Sequence, residues 1–240
     1  MIPRLTEFAQ ASLEVLKNII HKTDNKKFQS ILKYINTDST FNFPITEQPT
    51  VEDFEKVIGE DVTLVAKAVF NTPENLPKSK AKEFYNPIKN KNYSGKKIDY
   101  TIIDKLAKKG SSHSKNNQYL YALAYDKHIV KLGMTECSIE ERLNSYNCGT
   151  LRAREKGTCS ITNFVVTECN CLALSLDMEV EIYAIPCPIE YISVTRFGIT
   201  EICRRTTVLR DLEAMLIKSF KNEYSYKPVL CVQEGKKTKK

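Results

Sequence analysis

Three features that would redirect the reading of a 240-residue chain are missing from this one. No apolar run approaches the roughly 20 residues a helix needs to cross a bilayer, so no membrane partner is expected. The opening Met1-Ile-Pro-Arg-Leu-Thr-Glu-Phe lacks the basic-then-apolar pattern of a secretory leader. The chain is therefore expected to stay intracellular: cytoplasmic, or nuclear in a eukaryotic or virus-infected cell. There are eight cysteines but no C-x-x-C pair. In a reducing compartment these are expected as buried free thiols. Cys148, Cys159 and the close pair Cys169 and Cys171 are spaced too widely for a regular four-thiolate zinc site.

What is present is an apolar content of 42%, enough for a core in one elaborated domain or two small ones. The positive charge is concentrated. Residues 78–115 carry 11 lysines against Glu83, Asp99 and Asp104, a net +8 in a chain whose total is +7. Tyr85, Tyr93 and Tyr100 are interleaved with those lysines, a composition suited to phosphate contacts with occasional base stacking. Helical spacing of apolar residues runs through Thr6–His21, Lys26–Ile35 and Val51–Phe70. These patterns divide the chain into an N-terminal helical region over 1–77, a basic linker or DNA-contacting segment over 78–116, a domain with a C-terminal helix over 117–232 and a basic tail over 233–240.

The most informative stretch begins at Tyr119. Gln118–Tyr125 and His128–Gly133 are β-prone apolar runs separated only by Asp126-Lys127, the pattern of a hairpin. Tyr119 and Tyr121 share one face of the first strand, and Lys131 is expected across the pair from them. Gly133 permits close backbone approach. Ser138 with Glu141 three residues later predicts a capped helix over Ile139–Tyr146, carrying Arg142. His128 reads as a plain turn residue.

Tyr119-Leu-Tyr121, Lys131-Leu-Gly133 and Arg142 with Leu143 and Tyr146 resemble the GIY-YIG nuclease superfamily, in the lysine-bearing branch found in phage and large-DNA-virus proteins. Tyr119 stands where the first signature has glycine, and Lys131 where the second has tyrosine. The resemblance spans about Gln118 to Thr206. It implies an α+β fold, a small mixed or antiparallel sheet flanked by helices, and a metal-ligating glutamate on a later helix. Two segments offer one. Glu179 lies in Leu172–Tyr183, expected as a helix after a strand over Ile161–Thr167. Glu213 lies in the amphipathic Leu209–Phe220. Glu179 is 37 residues beyond Arg142 and Glu213 is 71, so the compact family core favours Glu179, with Glu181 a minor alternative.

Phosphodiester hydrolysis gives each residue a role. Tyr121, beside two cations, would take a proton from the attacking water. Lys131 would position that water. Arg142 offers forked donors to non-bridging oxygens whose charge grows toward the transition state. Glu179 would hold one Mg²⁺ or Mn²⁺, hard ions that favour carboxylate and phosphate oxygen. Tyr119, Arg152, Arg154 and Lys156 are expected to grip the DNA backbone, which supplies affinity without sequence information. The expected activity is a metal-dependent DNA endonuclease. The alternative is a binding module that keeps the fold and has lost turnover. Cutting both strands would call for a homodimer or two successive nicks.

Overall fold

The computed structural model describes residues 48–71, 98–112, 117–149, 153, 158–175, 177–189, 191–204 and 207–231. The expected helices Thr6–His21 and Lys26–Ile35, the basic tail, Tyr85, Tyr93, Arg152, Arg154 and Lys156 lie outside them.

The fold is α+β, with five antiparallel strands flanked by helices. In chain order the elements are α1 (Val51–Ile58), β1 (Thr63–Phe70), β2 (Ile98–Ile102), β3 (Asn117–Tyr125), β4 (His128–Thr135), α2 (Ile139–Tyr146), α3 (Ile161–Ser175), β5 (Val180–Pro188), β6 (Tyr191–Arg196), β7 (Ile199–Arg204) and α4 (Thr207–Tyr224). The sheet order is β2-β1-β5-β3-β4, and β6 with β7 forms a separate two-stranded sheet. The main sheet thus takes β1 from the first predicted segment and β2 from the basic one.

The β3–β4 hairpin forms as its alternation predicts. Asp126 and Lys127 both have positive φ, 44° and 71°, the conformation that suits a two-residue turn to twisted strands. The turn is pinned from outside, because the Asp126 carboxylate accepts the Glu179 amide at 2.8 Å and the Asp126 amide donates to the Glu179 carbonyl at 2.9 Å. In β3 every residue after Asn117 is buried, since the sheet is covered on both faces. Tyr119, Tyr121, Leu123 and Tyr125 face a core shared with Leu143 and Tyr146 of α2 and Val165, Val166 and Cys169 of α3. Ala122 and Ala124 face the other core, where small side chains leave room for Phe220, Phe54 and Tyr226. Phe220 stacks at 4.8 Å on Tyr224 and 6.0 Å on Tyr226.

Three expectations about local structure are corrected. The helical pattern over Val51–Phe70 stops at Ile58, where Gly59 adopts φ 71° and caps α1, and the β-branched run after it becomes β1. Ile161–Thr167 is not a strand but the start of α3, with the Ser160 hydroxyl accepting the Asn163 amide at 3.1 Å. A short apolar run reads the same in a buried strand and a buried helix, and α3 is covered by the sheet and α2. Leu172–Tyr183 is not one helix. α3 ends by Ser175, Asp177 turns the chain with φ 58°, and Val180 onward is β5, paired between β1 and β3. The helix over Leu209–Phe220 is present as read, within α4.

β4 is one of the two edge strands, and outer backbone groups at its centre are covered by the C-terminal segment, which blunts the edge. Leu230 donates to the Val130 carbonyl at 2.8 Å, and the Cys231 thiol accepts the Leu132 amide at 3.4 Å. α4 lies over β4 and β3 and reaches the same edge near Met134.

Candidate active site

The site is built along β4 and where α2 leaves it. Tyr121 pairs with Gly133, Leu123 with Lys131 and Tyr119 with Thr135. Cross-strand partners share a face, so Lys131 and Gly133 lie on the tyrosine face, with Lys131 one pair further along than Tyr121. A Cβ on Gly133 would sit 2.5 Å from the Tyr121 hydroxyl oxygen and 2.6 Å from its Cζ. The Tyr121 ring therefore lies flat over the Gly133 backbone, which is the close approach the glycine makes possible.

α2 begins where the sequence places it. The Ser138 hydroxyl accepts the Glu141 amide at 3.2 Å while the Glu141 carboxylate accepts the Ser138 amide at 3.3 Å. That reciprocal cap fixes the helix phase, and Arg142 and Tyr146, four residues apart, fall on the face toward β3. Arg142 Nε donates to the Tyr121 hydroxyl at 3.1 Å, and its guanidinium carbon stands 4.9 Å from the centre of the Tyr146 ring. The Tyr121 and Tyr146 hydroxyls are hydrogen-bonded to each other. Burial holds the Tyr146 phenol well above its ordinary range, so Tyr146 keeps its proton. Burial works against the Arg142 charge, but the two phenols outweigh it and its affinity for a proton rises. The Tyr121 oxygen thus accepts from Arg142 Nε and shares a second hydrogen bond with the Tyr146 hydroxyl.

Glu213 completes the cluster. It stands in the apolar stripe of α4, with Leu209 one turn before it and Leu216, Ile217 and Phe220 after it, all turned toward the sheet. Burial raises its carboxyl above the usual carboxylate range, against the pull of Lys131 first, then Arg142, the Met134 backbone and Arg210. Its carboxylate is hydrogen-bonded to the Met134 backbone of β4 and lies within electrostatic reach of Lys131 and Arg142. Lys131 itself is 6% exposed, a cation inside a buried strand. Tyr121, Lys131, Arg142, Tyr146 and Glu213 therefore gather at one end of β4.

The other sequence-predicted residues lie elsewhere. Glu179 precedes β5 at the hairpin-turn end of the sheet, five residues from Ala184, the β5 partner of Tyr121, or about 17 Å along the strand. It is exposed and pairs with Lys67 at 3.4 Å. Glu181 is fully buried among Lys67, Lys127 and Tyr183. Tyr119, expected to touch DNA, is fully buried, and its hydroxyl donates to the Leu106 carbonyl at 2.8 Å. His128 Nδ1 bonds the Gln48 carbonyl at 2.8 Å, tying the turn to the segment before α1. Among the described residues no group of three or more histidines, cysteines and carboxylates gathers into a metal site, and the described cysteines are free thiols.

Two members of the cluster carried a signal that residue spacing alone did not exploit. Tyr146 is the i+4 neighbour of Arg142, on the same helix face. Glu213 is a carboxylate in a stripe whose period calls for an apolar residue, as Lys131 is a cation in an apolar strand. Such breaks in pattern mark positions where something other than packing chose the residue.

No family model matches the chain, and no curated protein matches it. Among solved structures it is similar to restriction endonuclease HPY188I in complex with product DNA, with 24% identity, 79% of this chain and 90% of that chain covered, and a TM-score of 0.45. It is also similar to a mutant of bacteriophage T4 EndoII, with 22% identity, 42% and 70% of the two chains covered, and a TM-score of 0.31.

Proposed function

We propose that the protein is a divalent-metal-dependent DNA endonuclease, with a GIY-YIG-like site made of Tyr121, Lys131, Arg142 and Glu213. The observation that carries this reading is the convergence of two buried tyrosines, a lysine, an arginine and a half-buried glutamate on one end of β4. Residue spacing favours Glu179, but of the two glutamates it is Glu213 that shares the neighbourhood of Arg142 and Lys131, which supports Glu213.

Arg142 keeps its guanidinium fixed by the Tyr121 hydroxyl and the Tyr146 ring, so its remaining N–H donors are available to a phosphate without reorganisation. Tyr121, its own proton having been released to solvent, acts as the phenolate: it takes the proton of the attacking water as the new P–O bond forms and so becomes the phenol again. Tyr146, with its retained proton, orients that oxygen. Lys131 adds positive charge that draws the phosphodiester in and holds the water. The P–O bond to the leaving sugar breaks and the departing oxygen is protonated by solvent. Glu213 would supply one hard carboxylate oxygen to a Mg²⁺ or Mn²⁺ whose other ligands are water and phosphate oxygens, the phosphate's negative charge offsetting the nearby cations. When bound, that ion would stabilise charge on the leaving oxygen.

The test is incubation of supercoiled plasmid and labelled single-stranded DNA with wild type, Tyr121→Phe, Arg142→Ala, Glu213→Gln and Glu179→Gln, each with Mg²⁺, Mn²⁺ or EDTA. Metal-dependent cutting by wild type and Glu179→Gln, lost in the other three, is expected. Cutting lost in Glu179→Gln and kept in Glu213→Gln would return the metal to Glu179. Salt-sensitive DNA binding with no cutting by any protein would leave a binding module.

A further inference from the structure

The β6–β7 hairpin serves neither core. Its two strands pair only with each other, in a register that sets Tyr191 opposite Arg204 and Thr195 opposite Thr200. Its apolar residues are exposed to an unusual degree: Tyr191 60%, Ile199 63%, Ile202 78% and Phe197, at the tip, 101%. Phe197 occupies the first turn position with φ 54°, where a bulky side chain is strained and asparagine would be at ease. The phenylalanine is therefore not explained by the turn it sits in, nor by burial.

The ribbon's charge and connection say what it faces. In sequence, Arg196 adjoins Phe197 at the tip, and residues 190–205 carry Arg196, Arg204 and Arg205 against Glu190 and Glu201. The chain runs from the ribbon's base directly into α4, which presents exposed Arg210 and then Glu213 of the candidate site. Six residues per strand give an arm of roughly 20 Å. We propose that β6–β7 enters a groove of duplex DNA and that Phe197 stacks on its bases near the phosphate held by Arg142; this rests on the nuclease reading above. A two-stranded ribbon fits the major groove, and an exposed phenylalanine is an effective wedge between base steps.

The chain contains no tryptophan, so Phe197→Trp puts the protein's only indole at the ribbon tip without touching the core. This variant is titrated in EDTA with a mixed-sequence duplex, binding being followed in parallel by gel mobility. Indole emission is expected to fall by more than half at saturation and to become shielded from iodide. Phe197→Ala is expected to bind the same duplex about tenfold more weakly. Unchanged emission and iodide access while the gel shows full binding would overturn the proposal. So would a blue shift that grows with protein concentration in the absence of DNA, accompanied by a dimer that Phe197→Ala abolishes. Quenching by DNA with no metal-dependent cutting by wild type would keep the ribbon and remove the nuclease reading, and cutting without quenching would do the reverse.

Discussion

Two carboxylates on this fold, Glu181 and Glu213, each sit beside two cations, yet they are driven in opposite directions. Glu181 is fully buried in β5 with Lys67 at 3.0 Å, Lys127 at 2.9 Å and the Tyr183 hydroxyl at 2.9 Å. Burial alone would raise its carboxyl, but those direct bonds overcome it and hold the carboxyl below its usual range. For Glu213, burial wins, because Lys131 and Arg142 act through space rather than as bonded partners. A buried charge whose hydrogen bonds are complete holds the fold together. One left under-compensated is poised for a ligand that would complete it. Charge in an apolar setting is thus not by itself a site; how fully its neighbours satisfy it separates the two.

The largest effect is expected at the Glu213 end. Tyr121→Phe and Arg142→Ala should each lower the plasmid-cleavage rate by about 10²–10⁴-fold, the range for losing a general base or a fixed oxyanion donor, with thermal stability kept within a few degrees. A loss of folding instead would make the cluster structural, like that of Glu181. Breaking the other cluster should act on stability. Glu181→Ala takes the shared acceptor from Lys67, Lys127 and Tyr183; because both lysines are partly exposed and can turn to water, it should cost about 1–3 kcal/mol in urea unfolding. Because the Glu181 carboxyl is lowered in the folded state, its contribution is present above the ordinary carboxylate range and is lost as pH falls through its folded value.

Gly133→Ala sharpens the picture further, since the added methyl would meet the Tyr121 hydroxyl at 2.5 Å. About a tenfold or greater loss of cleavage is expected as the ring is displaced, and wild-type activity would show that Tyr121 need not lie where it does. A smaller effect of opposite sign is expected from Glu213→Gln, which should abolish cutting yet raise Tm at neutral pH. The folded-state carboxyl is raised, so its ionisation opposes folding; that penalty appears as pH rises through the folded value and vanishes in acid. The gain in Tm over wild type should therefore shrink as pH falls toward the ordinary carboxylate range, and a lower Tm at neutral pH would place Glu213 with Glu181 as a structural charge. The smallest effect is expected at Glu179→Gln. Its exposed pairing with Lys67 should be worth under about 1 kcal/mol.

The hairpin, the cap of α2 and the helix at α4 were legible in the sequence because each is a local event: alternation with a two-residue turn, a serine with a glutamate three residues on, a stripe at helical spacing. α3 and β5 were not, since an apolar run buried on every side carries no period to distinguish helix from strand. The spacing from Tyr121 through Lys131 to Arg142 named three members of the cluster. Glu213 and Tyr146 needed the fold. Seventy-one residues separate Glu213 from Arg142, and no local rule says that α4 returns along the edge of β4 while the nearer Glu179 is carried off to the far end of β5.

By itself, then, the sequence determined the residue types, the hairpin, the capped helix and the excess of positive charge, because these depend on neighbours within a few positions. The tertiary structure alone decided which glutamate meets the arginine, which tyrosine hydroxyl meets its partner and which buried charge is fully bonded. Those outcomes depend on strand order and on what covers each face of the sheet, contacts between residues far apart in the chain whose energies exist only once the core has closed.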